Sequence, residues 1–176
     1  MSIENVFSYK NNKTLAETLN YKKYEKLFEK VEERYKEFKE KELGFFLLSL
    51  KNNNDCFYKK FLNKYGDEKY CNFFINDKAI LSRKGIYYYK INSEVVYIGR
   101  CLDNYNKRIN QGYGRINPKN CYIDGQSTNC HLNSLINSNC DKIELFVLLL
   151  NDDKNIKNIE KKLIKNYQPI WNVSLK

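Results

Sequence analysis

Two short runs rich in Tyr, Val and Ile, residues 85–91 and 95–99, are separated by the turn-forming residues Asn92, Ser93 and Glu94. β-Branched and aromatic residues favour strands, and a polar turn between two such runs predicts an antiparallel hairpin. A hairpin is marginal alone in water, so this one needs a third strand and a cover. The continuous apolar run 143–150, bounded by Asn151-Asp152-Asp153, supplies the strand. Helical patterns on either side supply the cover. The expected fold is α+β: a small antiparallel sheet of about three strands flanked by helices, with an N-terminal helical extension.

In the first half, Tyr24, Leu27, Phe28, Val31, Tyr35 and Phe38 recur at spacings of three and four, one apolar helix stripe. Glu32 and Lys36 are placed for an i,i+4 pair. Gly44 is expected to break this helix before the apolar run 45–50. A second amphipathic helix is predicted over 57–65, after the turn cluster 52–55, with a short apolar stretch at 70–75. Beyond the hairpin, Asp103 or Asn104 can cap a helix to about Gln111. Residues 112–129, GYGRINPKNCYIDGQSTN, are too long for an idle connection. A short helix over 130–137 and a last one over 154–167, stopped by Pro169, complete the pattern. The expected division is a helical region over 1–80 and a sheet-bearing domain over 81–176.

The 176 residues are 42% hydrophobic and 30% charged, an ordinary globular composition. No apolar run approaches the roughly 20 residues of a bilayer span, and MSIENVFSYKNNK lacks the apolar core of a secretory signal. The expectation is an intracellular, cytoplasmic protein without a membrane partner. The net charge is +10, unevenly spread: residues 1–80 carry 16 basic against 13 acidic side chains, residues 81–176 15 against 8. A basic half poor in carboxylates suits a polyanion, because each neutralised phosphate releases a counterion. The 25 asparagines point to an AT-rich genome, which also favours lysine, so charge alone does not identify the partner. None of the six cysteines stands in a C-x-x-C pair. Cys121, Cys130, His131 and Cys140 are loosely grouped, which leaves zinc open beside the plainer reading of reduced thiols.

The last helix carries the most informative side chain. Its stripe is Ile156, Ile159, Leu163, Ile164 and Tyr167, and Glu160 falls near the middle of it. An inward carboxylate is costly unless paired or bound to a cation. It is either a buried pair with Arg100 or Arg108 or a metal ligand in a cleft.

Gly85-Ile86-Tyr87 followed by Tyr97-Ile98-Gly99 resembles the GIY-YIG nuclease family. Arg108 matches the family's helix arginine, Glu160 its glutamate and Asn172 its later asparagine. The closing segment IEKKLIKNYQPIWN is similar to the end of the nuclease domain of bacterial excision-repair endonucleases. The resemblance covers residues 84–174. It implies a DNA endonuclease, of a bacterium or phage, that hydrolyses phosphodiester bonds with one divalent cation, Mg²⁺ or Mn²⁺, held by Glu160. It assigns Tyr87 as general base, Tyr97 as a hydrogen-bonding partner of water or phosphate, and Arg108 as a cationic neighbour. Arg100 stands where relatives often carry lysine and is suited to clamp a phosphate. Gly99 and Asn172 support the site. The carboxylates of the second half fit one metal: only Glu160 is both central and on an interior stripe.

Alternation along strands sets a geometric condition. For Tyr97 to share a face with Tyr87 the pairing sum must be even, as with Ile91 opposite Val95 across the odd loop Asn92-Ser93-Glu94. Ile86, Val96 and Ile98 then face the core. One spacing departs from the family: the residue four after Arg108 is Gly112, with Tyr113 one later. Tyr113 and His131 are candidates to contact phosphate, and Arg115, Lys119, Asn120 and Gln126 to contact DNA.

Three functions remain on this basis. They are a restriction-like or mobile-element endonuclease with the N-terminal helices as its targeting half, a structure-directed repair or recombination nuclease, and an inactive nucleic-acid-binding scaffold. The N-terminal helices are equally suited to docking, DNA binding or homodimerisation through the 24–38 stripe.

Overall fold

A computed structural model describes residues 13–173. In chain order the elements are α1 (Leu15–Leu19), α2 (Phe28–Arg34), α3 (Leu43–Asn52), α4 (Lys78–Leu81), β1 (Gly85–Ile91), β2 (Glu94–Cys101), a π-helix (Asn106–Tyr113), α5 (Pro118–Cys121), α6 (Ser127–Ser138), β3 (Ile143–Leu149) and α7 (Asp153–Tyr167). Short 3₁₀ turns at Lys22–Leu27, Lys36–Phe38 and Cys56–Phe61 join the first helices. Two compact units result: residues 13–70 with Ile116–His131, and Cys71–Arg115 with residues 132–173. The sequence pattern places one boundary near residue 80; instead the polar stretch returns to the helical unit. None of the helices is long and apolar enough to cross a membrane among the described residues.

The helical unit buries part of the predicted stripe: Tyr24, Val31 and Tyr35 lie in its core, Leu27 and Phe38 pack against it, and Phe28 is exposed. The stripe is not one helix, however. Tyr35 leaves helical geometry at φ −138° and ψ 26°. Its hydroxyl donates to Asp55 at 2.5 Å and its ring stacks on Phe57 at 5.1 Å. Tertiary packing outweighs the small gain from continuing a short helix. Gly44 is not the break either: it lies buried inside α3. The helix expected over 57–65 is the 3₁₀ turn Cys56–Phe61, capped where Asp55 accepts from Phe57 N at 2.9 Å. The polar stretch is tied in by Asn63, whose amide N donates to Cys121 O at 2.8 Å and whose Nδ2 donates to Asn120 O at 2.5 Å.

In the second unit the antiparallel sheet has the order β2-β1-β3. Both of its faces are covered. Ile86 and Ile98 pack with Ile156 and Ile164 of α7 on one face. Tyr87 and Tyr89 pack with Tyr105, Ile109, Leu132 and Trp171 on the other. Two-sided burial explains why the central strand β1 reads as a near-continuous apolar run; the edge strand β3 is half-buried to exposed.

The hairpin does not use the expected odd loop. Asn92 and Ser93 both take positive φ, 49° and 70°, a two-residue turn of the kind favoured by strand twist. Next to the turn Ile91 pairs with Glu94 and Lys90 with Val95, an odd sum. Val96 is then an extra residue, a bulge, and from Tyr89 opposite Tyr97 onward the sum is even. A bulge thus produces the parity that the tyrosines require. It also separates Val96 from Ile86 and Ile98: all three are buried, but Val96 packs with the tyrosine face.

Three asparagines act as clips, each engaging both backbone groups of one residue. Asn172 accepts from Ile98 N at 3.0 Å and donates to Ile98 O at 2.8 Å. Asn110 does the same to Ile75, at 2.8 and 3.0 Å. The fully buried Asn133 grips Cys71 at 3.0 and 2.9 Å and adds a 2.7 Å bond to Tyr113 O.

At the start of β1, Gly85 has φ +149°, and a Cβ there would lie 2.0 Å from Leu148 O on β3. Gly85→Ala is therefore expected to destabilise the protein by about 2 kcal/mol or more, a fall in Tm of roughly 4–8 °C in a thermal melt. An unchanged Tm would show that the β1–β3 contact yields freely.

Candidate active site

The site starts from a missing side chain. A Cβ on Gly99 would lie 2.5 Å from both Cζ and the hydroxyl oxygen of Tyr87. Only glycine lets the Tyr87 phenol lie across β2, where it is fully buried. The even register puts Tyr97 on the same face, its ring centroid 6.0 Å from that of Tyr87. Tyr113 approaches to 5.9 Å and Tyr89 to 6.4 Å, and the Tyr89 and Tyr113 hydroxyls are hydrogen-bonded at 3.0 Å.

Arg108 meets this cluster from the π-helix. Its Nε donates to the Tyr87 hydroxyl oxygen at 3.0 Å, and its Cζ lies 5.9 Å from the Tyr113 ring centroid. The spacing of Arg108 and Tyr113, five residues, would splay them on an α-helix. On a π-helix, whose hydrogen bonds run from i to i+5, they share a face. One such bond, Gly114 N to Ile109 O at 2.8 Å, closes the wide turn. The helix therefore runs through Gly112 instead of ending there, and the extra residue is absorbed by a wider turn.

Burial is the largest influence on the Tyr87 phenol and pushes it well above the ordinary tyrosine range; Arg108 pulls in the opposite direction and does not cancel it. Burial likewise raises Tyr113 and Tyr89. Arg108, beside the Tyr87 oxygen, holds its own proton more tightly than usual. Arg108 as a residue is exposed although it touches a buried phenol.

Glu160 is buried, 7% exposed, between Ile156 and Ile164 on α7. Its Oε2 pairs with Nη1 of Arg100. Arg100 lies opposite Ile86 in the sheet and shares the α7 face, whereas Tyr87 points to the other. The expected single constellation is thus two pairs: Tyr87 with Arg108 on the tyrosine face, Glu160 with Arg100 on the helix face. Gly99 is the residue of β2 beside both. No three His, Cys, Asp or Glu side chains gather into a metal cage among the described residues. A lone buried carboxylate still fits Mg²⁺, which keeps several waters and is commonly bound by one or two carboxylates plus substrate phosphate.

The other candidates fall as follows. Asn172 braces β2 through Ile98, and Trp171 N donates to Val96 O at 2.9 Å beside it. Arg115 is exposed just after the π-helix. Lys119 and His131 belong to the helical unit. His131 stacks on Tyr65 at 4.1 Å, and burial followed by the nearby Lys64 lowers its pKa. A neutral, stacked imidazole is a poor phosphate contact. Asn120 is buried, with its Oδ1 accepting from Asn117 N at 2.9 Å, so it does not present an edge to a base. Sequence reading did not single out Tyr89, Tyr105 or Asn133. Tyr105 donates to Ile86 O at 2.9 Å and so ties the π-helix entrance to β1. The period-two repeat of Tyr87 and Tyr89 was the signal for Tyr89; nothing in the local pattern marks the other two.

No protein-family model matches the chain, and no curated protein matches it. Among solved structures it is similar to a point mutant of the N-terminal GIY-YIG endonuclease domain of UvrC from Thermotoga maritima, bound to the catalytic divalent cation. The identity is 20% and the TM-score 0.35, over 53% of this chain and 87% of that one.

The buried phenols predict the alkaline behaviour. Tyr87, Tyr89 and Tyr113 are protonated in the fold above the pH near 10 at which they ionise in the unfolded chain. Their contribution is complete below about pH 10 and is lost as pH rises further, by about 1.4 kcal/mol per pH unit for each phenol. Absorbance at 295 nm followed with circular dichroism should show these phenols ionising only as the fold is lost. Titration of every tyrosine near pH 10 in folded protein would contradict the geometry.

Proposed function

We propose that the chain is a metal-dependent DNA endonuclease of GIY-YIG type that hydrolyses phosphodiester bonds with a single cation and tyrosine assistance. The observation that carries this reading is the Arg108–Tyr87 hydrogen bond. It joins Arg108, an exposed residue, to a buried phenol at a point where β2 has no side chain. Such a pair can do two things that phosphodiester cleavage needs. Arg108 neutralises charge on the scissile phosphate, and its N–H on the Tyr87 oxygen offsets part of the burial penalty on the phenolate, the form Tyr87 must reach by first losing its own proton to solvent before it can take one from the attacking water. Tyr97 positions water or phosphate beside it, and the buried Tyr113 packs against the Tyr87 ring. Arg100 clamps a second phosphate oxygen.

Glu160 would hold the cation, with water and substrate phosphate completing the shell, and this reading requires that phosphate to meet both pairs where β2 is bare at Gly99. That cation would add charge neutralisation at the phosphate and acidify a bound water. In this reading Arg100 keeps the buried carboxylate paired in the free protein and turns to the phosphate when substrate arrives. The sheet-bearing region, expected over 81–176, is the nuclease part. The helical unit contributes targeting, in a restriction-like or mobile-element layout.

A second reading, an inactive nucleic-acid-binding scaffold, is favoured by one observation: the Arg100–Glu160 pair satisfies both charges without any ligand. Cleavage of plasmid DNA with Mg²⁺ or Mn²⁺, against chelator, separates the two. Glu160→Gln and Arg108→Ala are each expected to lower the cleavage rate by about 10²-fold or more while leaving DNA retention in a gel shift largely intact. Discrete products point to a restriction-like enzyme, and branch-dependent cuts to a repair nuclease. Retention without cutting in the unmodified protein, or cutting that survives Glu160→Gln, would overturn the proposal.

A further inference from the structure

The helical unit contains a cavity of about 630 Å³. That is inside the roughly 300–1,000 Å³ range of small-ligand sites. Its walls come from residues 13–24 and Leu43 on one side and from 117–124 on the other. The inner lining is apolar and aromatic: Leu43, Tyr24 and Tyr122 are all buried. The mouth is cationic, carrying the exposed Lys13, Lys23 and Lys119.

Surface lysines alone mean little in a chain with this charge. Here they are held. The Lys23 ammonium lies 4.9 Å from the Tyr24 ring centroid and 5.4 Å from that of Tyr21, and it pairs with Asp124. Lys13 lies 4.5 Å from the Tyr21 centroid. Among the described residues Asp124 is the one acidic side chain in the lining. Glu17, the other acid near Lys13, turns its carboxylate to Thr14 N at 2.8 Å in the α1 capping box. Three ammonium groups therefore meet one carboxylate.

A cationic mouth over an aromatic interior fits a ligand with a phosphate at one end and a flat ring at the other. We propose that this cavity binds a nucleotide, with its phosphate at Lys13, Lys23 and Lys119 and its base against the exposed Tyr21 ring of the same lining. The same chemistry is offered by a free nucleotide and by a nucleotide lifted out of a DNA strand, where unstacking costs a few kcal/mol. The site does not depend on the nuclease chemistry: its residues lie outside the Tyr87–Arg108 and Arg100–Glu160 pairs.

The test uses the full chain at low salt with two probes. The first is dAMP, titrated to about 5 mM by calorimetry, with inorganic phosphate as control. The second is a duplex carrying 2-aminopurine, whose fluorescence rises when the base unstacks. Either probe should bind, with affinity about tenfold weaker in a Lys23→Ala/Lys119→Ala protein that retains the wild-type circular dichroism. Because losing the Lys23–Asp124 pair can itself perturb the wall, Asp124→Asn supplies the opposite sign. It removes the competing carboxylate and should tighten binding severalfold. Saturable dAMP binding identifies a free nucleotide; a fluorescence rise without dAMP binding identifies a strand nucleotide. The proposal is overturned if neither probe binds or if phosphate alone binds as tightly as dAMP. It also fails if the lysine variant binds unchanged or if Asp124→Asn weakens binding.

Discussion

The sheet-bearing unit is organised around one close approach, the Tyr87 ring lying against the bare backbone of Gly99. Once the ring is there, its oxygen is removed from water and must find a polar partner. Arg108 is that partner, and its backbone must then be presented at the right height beside the sheet. The π-helix, the Tyr105 bond to β1 and the Asn133 bond to Tyr113 O all serve that placement. A methyl group at position 99 would dislodge the ring and leave the rest of this network without its centre.

The two guanidinium groups do different electrostatic work. Arg108 touches a neutral phenol, so its full charge remains available to an incoming anion. Arg100 is matched to a carboxylate, and desolvating such a pair gains little net stability over apolar packing. A pair of that kind is a costly way to hold α7 on the sheet, where Ile156 and Ile164 already bury completely and contribute about 1.5–3 kcal/mol each. In the proposed reading this carboxylate changes partners when substrate arrives.

Much of the sheet unit was legible because its signals are local. Strand composition located β1, β2 and β3, and the wheel position of Glu160 predicted its burial. Alternation correctly required an even pairing sum, but not the means of reaching it: a tight turn followed by a bulge and a three-residue loop give the same parity. The π-helix was visible only as a spacing one residue too long, since no side chain advertises a wider turn. The helical unit was less legible. Its stripe was correct, yet Tyr35 abandons the helix for contacts with Asp55 and Phe57 that lie some twenty residues away in sequence. The return of 116–131 to that unit rests on backbone bonds through Asn63, which composition cannot reveal.

The asparagine clips bear on how this chain tolerates change. Each replaces a length of strand pairing with one amide that offers a donor and an acceptor together. Aspartate keeps the shape but lacks the donor, lysine lacks the acceptor, and serine is too short to span both groups. In a chain with 25 asparagines, most are free to drift with the base composition of the gene. Positions 110, 133 and 172 are not, and purifying selection should hold them fixed among neighbours of the same residue type that wander.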